Sequence, residues 1–518
     1  MDRRKRLGVH YTPAVLARFI AGRVARYVER PVRVLDPACG DGELLAAVAE
    51  RCDAELVGFD LDPGAVERAR ERLPGADIRL ADFTEVGQRL AGPFDVVVAN
   101  PPYVRTQALG NAKDLASTFN LKGRLDLTHP FVALAPRLLG AGGVLALLCS
   151  NRFLTTKAGA NVRELLAGRL SVEEVYDLGD TRLFDAAVLP AVVIATKGSR
   201  TAGGARPARF ASAYEVQGVQ APEGDLFAAL TGPASATVGV RGRAFAVEVG
   251  TLDDRDLWRV STPERHRRGA RVAARTWRTL GELAKIRVGI KTTADRVFIG
   301  DHWDALPAHR SPEPSLLRPL LTHEDLRPWT PPGPPRVRVL YPYLDLPTRR
   351  PVDLAEHPGA AAYLAEHRER LEGRRYLAEA GREWFEIWVP QRPALWRPPK
   401  IVFPDISAQP RFAVDRSGAV VNGDCYWISV PELGGDDLAH LVIGVANSAF
   451  GTRFYDDACG NRLYAGRRRW ITQYVARLPL PDPASPAGLA ITAAARRLAA
   501  GDGGHLPVLE AAVAAAFE

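Results

Sequence analysis

The chain has 518 residues, 47% hydrophobic and 25% charged, with a formal net charge of +8 and a pI near 9.3. That length suggests two to four domains of roughly 100–200 residues, each able to bury a core, and the composition excludes a disordered tail protein. No run approaches the ~20 apolar residues of a membrane span, the start MDRRKRLGVHYTP lacks a signal peptide's apolar stretch, and five scattered cysteines form no C-x-x-C pair, so a soluble cytoplasmic protein without disulfides or a cysteine zinc site is expected.

The first 200 residues alternate short apolar runs with helical patterns. The strand candidates are Val32–Leu35, Glu55–Phe59, Asp77–Leu80, Phe94–Ala99, Gly143–Cys149, Val172–Leu178 and Leu189–Ala195. Helical stretches separate several of them: Glu43–Arg51, Ala65–Leu73, Leu127–Leu139 and Ala160–Leu166. Apolar strands separated by helices predict a mostly parallel sheet covered on both faces. The last two strands lack a helix between them, which allows an antiparallel pair at one edge. GSRTAGGARP (198–207) reads as a surface loop or linker.

Beyond about residue 245 the character changes. All nine tryptophans follow residue 250, and proline clusters such as TPPGPPR (330–336) appear. Residues 360–376 form a charged helical candidate, 399–430 read as short strands and turns, and the alanine-rich 487–517 reads as a closing helix pair. Residues 1–200 carry 27 basic and 24 acidic groups, whereas 251–300 alone carry 12 and 6. That basic stretch is either a solvated helical face or a nucleic-acid contact.

Val34–Gly42 (VLDPACGDG) is an apolar strand entering a glycine turn before a helix, a place where a ligand can approach backbone closely. The dinucleotide fingerprint G-x-G-x-x-G is not met, and Asp36 and Asp41 suit a cationic ligand better than a pyrophosphate. Asp60 ends the second strand, where an acid accepts bonds from ribose hydroxyls. Asp82 ends the third, placed to accept from an adenine amino group while Phe83 packs on the ring. Three acids at successive strand ends, where open α/β sheets bind ligands, make a nucleoside pocket the expectation.

Asn100-Pro101-Pro102-Tyr103 follows the fourth strand directly. The prolines stiffen the turn, so the Asn100 side-chain oxygen and the Pro101 carbonyl can aim at one spot. An exocyclic amino group donating to both would have its lone pair turned towards a methyl donor, with Tyr103 stacked on its ring.

With these motifs the sequence resembles the gamma class of S-adenosylmethionine-dependent DNA adenine-N6 methyltransferases, the TaqI type, found in restriction-modification systems. The resemblance implies a class I, Rossmann-like, mostly parallel seven-stranded sheet with an α+β C-terminal target recognition domain. The expected division is 1–245 for catalysis and 246–518 for recognition. It implies that Gly8–Pro13 is the cofactor anchor with Thr12 near the methionine moiety, and that Asp36, Ala38, Gly40, Asp60, Asp82, Phe83 and Asn100 also contact S-adenosylmethionine. Asn100, Pro101 and Tyr103 take the catalytic positions, and Tyr103 and Phe184 stack on the extruded base, although Phe184 also reads as a core or edge residue. Gly123–Leu127 with Phe131 is similar to the family's loop and helix on the cofactor side, with Thr128 where an aromatic is usual.

Segments at Leu283–Thr292, Leu317–Leu321, Lys400–Ile406 and Arg477–Pro481 are similar to successive parts of the recognition domain. Double-stranded DNA is the expected partner, with phosphate contacts in the cluster containing Arg267, Arg268, Arg271 and Lys291 and a second candidate at Arg467–Trp470. A monomer on DNA is expected. The reaction needs alignment rather than a metal or covalent nucleophile. The anchor begins at residue 8 and no P-D…(D/E)-x-K pattern appears, so any cutting activity is expected from a separate restriction endonuclease acting on the same site. Alternatives are an N5-glutamine protein methyltransferase, an RNA or cytosine-N4 amino-methyltransferase, and a DNA-binding module that keeps a relic cofactor fold.

Overall fold

The computed structural model describes residues 11–29, 32–102, 117–119, 128–156, 159–184, 189–198, 207–254, 257–459, 463 and 466–518. The chain divides into two compact units, Met1–Pro263 with Gly460–Gly466, and Glu264–Cys459 with Arg467–Glu518.

The first unit is built on one sheet. Strands β1 (Val32–Asp36), β2 (Ala54–Asp60), β3 (Asp77–Leu80), β4 (Phe94–Ala99), β5 (Leu139–Ser150), β6 (Ser171–Asp177) and β7 (Pro190–Lys197) lie in the order β3-β2-β1-β4-β5-β7-β6. The five from β3 to β5 are parallel, and β7 runs antiparallel to both β5 and β6. Strand order reverses between β1 and β4, so a crevice opens there at the carboxyl edge. The interior strands are buried along almost their whole length, β4 and β7 especially, which explains why they read as continuous apolar runs.

Two expectations need correction. The seven strands sit where the class I arrangement puts them, but among the described residues the sheet has 11 strands. It continues past β6 through β8 (Arg209–Glu215), β10 (Arg243–Asp253) and β11 (Arg259–Ser261), with β9 (Ala236–Val240) paired to β10. The β6–β7 pair is therefore internal rather than at an edge. The division expected between 245 and 246 falls inside β10, whose pairing with β8 and β11 keeps residues up to Pro263 in the first unit. Most of the loop at 198–207 lies outside the described residues, and it joins β7 to β8 of the same sheet rather than two domains.

Helix α1 (Ala14–Val24) begins directly after Pro13 and is tied to the sheet by a buried carboxylate. Glu174 on β6 accepts from Arg23 Nε at 2.6 Å, Tyr27 Oη at 2.8 Å and Tyr176 Oη at 2.7 Å. Burial opposes ionisation of Glu174, but the Arg23 guanidinium and the two phenols hold its carboxyl below the ordinary value. Helix α2 (Glu43–Ala49) follows the glycine turn, and α3 (Pro63–Arg72) starts with Asp62 accepting from Gly64 N and proline in its first turn.

The second unit is α+β. One four-stranded antiparallel sheet joins Arg287–Val288, Cys425–Ser429, Lys400–Pro404 and Ala413–Asp415, and a four-stranded mixed sheet joins Ile299–Gly300, Val337–Leu340, Leu317–Leu321 and Val420–Val421, the last two strands being parallel. Several segments singled out for their family likeness are therefore sheet strands of this unit. Trp303, Trp396 and Trp427 fill its core, which explains much of the tryptophan boundary. The expected helix at 360–376 is broken into Pro358–Glu366, Arg368–Glu372 and Arg375–Glu379, while the closing pair is observed as Pro486–Ala499 and Leu506–Phe517. Among the described residues no helix is long and apolar enough to cross a membrane.

Candidate active site

The site assembles at the carboxyl ends of β1, β2, β3 and β4. Asp36 ends β1 and is 1% exposed, with its Oδ1 accepting from Ala38 N at 3.0 Å. Burial pushes its carboxyl up to about 8, opposed by the Ala38 bond and reinforced by the Asp60 charge. Asp36 thus shapes the turn from beneath rather than offering an exposed carboxylate. At Gly40 the backbone is left-handed (φ +55°), and a Cβ would sit 3.1 Å from the Tyr11 ring. Only glycine meets both demands.

Asp60 holds two segments together. Its Oδ2 accepts from Gly40 N at 2.8 Å and its Oδ1 from Asp62 N at 2.9 Å. Asp82 caps the short helix α4 (Phe83–Val86): its Oδ1 accepts from Thr84 N at 2.8 Å and Thr84 Oγ1 at 2.7 Å. These carboxylates are fixed in place by backbone donors, which orients them for hydroxyl and amino donors of a nucleoside. The glycine cradle and this acceptor set fit S-adenosylmethionine.

Phe83 is corrected. It is 3% exposed and lies between Phe59 (5.6 Å between ring centroids) and Phe131 (5.7 Å, nearly parallel), so it is a core residue. Phe131 shares that core. Sequence reasoning missed Leu61, which directly follows Asp60 at the carboxyl end of β2 and is an apolar side chain 66% exposed. Its signal was its place directly after a strand-end acid.

Asn100 leaves β4 at the switch point. Its Nδ2 donates to Thr12 Oγ1 at 3.1 Å, joining residues 88 apart in sequence. Pro101 is buried, as a rigid turn against the sheet requires. Thr12 lies two residues before α1, whose Arg23, together with Tyr27 just beyond the helix, is anchored on Glu174. Beside it, the Tyr11 hydroxyl accepts from Arg68 Nη2 at 2.7 Å, and the Arg68 guanidinium lies 5.6 Å from the Tyr11 ring centroid. Tyr103, Gly8–His10 and Gly123–Leu127 lie outside the described residues.

Phe184 is corrected as well. It is 7% exposed and belongs to the core cluster with Tyr176 and Leu178, the core alternative that the sequence left open. Further along the carboxyl edge is a network that sequence reasoning missed. Asp177, at the end of β6, accepts from Asn151 Nδ2 at 2.8 Å, Tyr214 Oη at 2.6 Å and Gly179 N at 3.1 Å. Burial pushes the Asp177 carboxyl up to about 6 against these donors. It is another acid at a strand end, the same signal that singled out Asp36, Asp60 and Asp82.

In the second unit the basic cluster separates into paired and unpaired members. Arg268 Nη2 bonds Asp457 at 2.7 Å, Arg265 approaches the same carboxylate at 3.6 Å, and Arg271 Nη1 donates to the Glu518 carbonyl at 3.2 Å. Arg287 holds Glu432 with two bonds of 2.7 and 2.8 Å. Arg268 and Arg271 therefore have structural work that the sequence did not reveal, because Asp457 and Glu518 are far away in the chain. Arg267, Arg275 and Lys291 are exposed. At the second candidate, Arg468 is paired with Asp456 at 2.7 Å and Trp470 is 2% exposed.

Residues 76–184 match the family model described as Eco57I restriction-modification methylase, and residues 34–115 match a model of the methyltransferase domain. The chain is 36% identical to the type II methyltransferase M.BanIII of Aneurinibacillus aneurinilyticus, over 93% of this chain and 90% of that protein. It is 29% identical to the type II methyltransferase M.XhoI of Xanthomonas vasicola, over 89% and 83%. A release factor glutamine methyltransferase of Deinococcus radiodurans is 37% identical, over 28% of this chain and 57% of that one.

Proposed function

The chain belongs to the type II methyltransferases of restriction-modification systems, S-adenosylmethionine-dependent enzymes acting on DNA, and on that premise we propose that it methylates the exocyclic N6 of an adenine extruded from duplex DNA. The observation that carries this reading is the hydrogen bond from Asn100 to Thr12, which joins the cofactor-anchor segment to the first residue of the N-P-P-Y tetrad. One amide hydrogen given to Thr12 fixes the plane of the Asn100 carboxamide, whose oxygen is the acceptor the chemistry requires.

S-adenosylmethionine supplies a methyl group already activated on a sulfonium. Asp60 and Asp82 would hold it by accepting from its ribose hydroxyls and adenine amine, and exposed Leu61 would offer it an apolar contact. The Asn100 oxygen and the Pro101 carbonyl accept the two hydrogens of the target amino group. Held so, the nitrogen lone pair would be drawn from ring conjugation and available to take the methyl group, the sulfonium S–C bond breaking as N–C forms and one amine proton then leaving. Tyr103 stacks on the base and offsets part of the few kcal/mol that extrusion costs. The second unit supplies target recognition, with Arg267 and Lys291 at phosphates, and a separate endonuclease cuts the same sequence when it is unmodified.

The glutamine-methyltransferase alternative is supported over 28% of this chain, against 93% for M.BanIII. Long-read sequencing of DNA from a host expressing the chain tests the proposal. N6-methyladenine at one recurrent sequence is expected. Methylation confined to cytosine N4, or unmodified DNA with methylated glutamine in a protein, would overturn it.

A further inference from the structure

Five residues other than glycine have positive φ among the described residues, and two of them, Thr293 (φ 60°) and Gln391 (φ 63°), flank one backbone pairing in the second unit. Lys291 and Val389 exchange hydrogen bonds there, N to O at 2.9 Å and 3.0 Å. A left-handed β-branched threonine is a strained conformation that persists only where its surroundings enforce it.

The enforcement is visible. Arg374, 7% exposed, donates to the carbonyls of Thr292 and Glu386 at 3.0 Å each and of Trp384 at 2.6 Å. Arg382 donates to the carbonyls of Trp388 at 2.7 Å and Ile387 at 2.5 Å. Gln391 Nε2 donates to Val288 O at 2.8 Å, and Tyr376 Oη donates to Thr293 Oγ1 at 2.6 Å.

This stiff platform presents two aromatic rings to solvent. Tyr376 and Trp388 are 36% and 37% exposed, with ring centroids 4.9 Å apart at 76°. The Arg382 guanidinium lies 5.8 Å from the Trp388 centroid. Exposed Lys291, Arg375 and Arg392 lie on the same segments, together with exposed Glu379 and Glu383. Five of the nine tryptophans, Trp258, Trp303, Trp396, Trp427 and Trp470, are buried core residues. A single exposed apolar side chain needs no explanation, but a paired, rigidly mounted one beside cations does.

We propose that Tyr376 and Trp388 form a base-contacting site for the duplex DNA substrate, touching base edges or faces while Lys291 takes a phosphate. The inference rests on the reading of the chain as a DNA methyltransferase. Aromatic contact with bases is independent of counterion release, whereas a phosphate contact is not.

The test compares the wild type with Y376A/W388A, W388F and K291A on duplexes that contain or lack the methylated sequence, at several salt concentrations. The double variant raises Kd and KM for the specific duplex about 10–100-fold, with an unchanged slope of log K against log salt. W388F recovers most of that loss, and K291A lowers the slope by about one. S-adenosylmethionine affinity and the melting temperature report whether the variants stay folded. If the double variant is unfolded, the DNA-induced change in Trp388 fluorescence, taken as wild type minus W388F, decides instead. Wild-type KM in the folded double variant, a loss accompanied by a reduced salt slope, or no Trp388 signal overturns the site. Failure of the wild type to methylate any DNA would instead overturn the reading of function beneath it.

Discussion

At the carboxyl edge of the first unit's sheet, acidic side chains are held by backbone N–H groups, whereas in the second unit many arginines are held by carboxylates. Asp36, Asp60 and Asp82 each accept from a residue two to twenty positions away, through turns and caps that sequence pattern reveals. Arg268 meets Asp457 across 189 positions, and Arg271 meets Glu518 across 247. Local bonds make a site readable from its motif. Remote bonds, an ion pair at Arg268 and a main-chain carbonyl at Arg271, turn an apparent charge patch into scaffold, and exposed ion pairs contribute little.

Several perturbations break or sharpen this contrast. The largest effect is expected at Asn100. Asn100→Ala is expected to lower kcat about 10²–10³-fold, as loss of one preorganised polar partner does, while S-adenosylmethionine still binds by calorimetry. Near-wild-type turnover would remove the tetrad from the chemistry. Next comes the buried carboxylate that anchors α1. Glu174→Ala leaves Arg23, Tyr27 and Tyr176 without their acceptor and is expected to cost about 3 kcal/mol in urea unfolding. A change below about 0.5 kcal/mol would show that α1 is held by apolar packing alone.

The arginine contrast predicts smaller effects. Arg267→Ala is expected to weaken DNA binding and reduce its salt slope by about one, while Arg268→Ala leaves the slope unchanged because Asp457 already holds that side chain. Equal slopes for the two variants would abolish the distinction. A further effect is on pH dependence. Because folding raises the Asp36 pKa to about 8, its contribution to stability is full below about pH 4 and is lost as pH rises towards 8. Melting of the cofactor-free protein should therefore fall across that window, and Asp36→Asn should flatten the fall. An unaltered profile in Asp36→Asn would assign the dependence to other groups.

The sheet was legible because interior strands buried on both faces must be apolar throughout, and the seven candidates from Val32 to Ala195 match β1–β7 to within a few residues. The four additional strands were not, since β9 to β11 are short or only partly buried and a single six-residue helix, Leu226–Thr231, punctuates the stretch from β8 to β11 among the described residues. Asn100, Asp60 and Gly40 could be placed from motif alone, for each owes its position to the strand it follows. Phe83 and Phe184 could not. A phenylalanine at a strand end reads the same whether its ring faces a ligand or turns into the core, and rotation about one side-chain bond decides. The exposed pair Tyr376 and Trp388 was hidden for a related reason, because the bonds that make their platform rigid come from Arg374 and Arg382 reaching main-chain carbonyls.

The most direct measurement is nucleoside analysis by mass spectrometry of duplex DNA incubated with S-adenosylmethionine and the purified chain, alongside Asn100→Ala. N6-methyldeoxyadenosine from the wild type, and at most a trace from the variant, is the expected result. N4-methyldeoxycytidine in its place, or equal methylation by both proteins, would contradict the chemistry assigned to Asn100 at the end of β4.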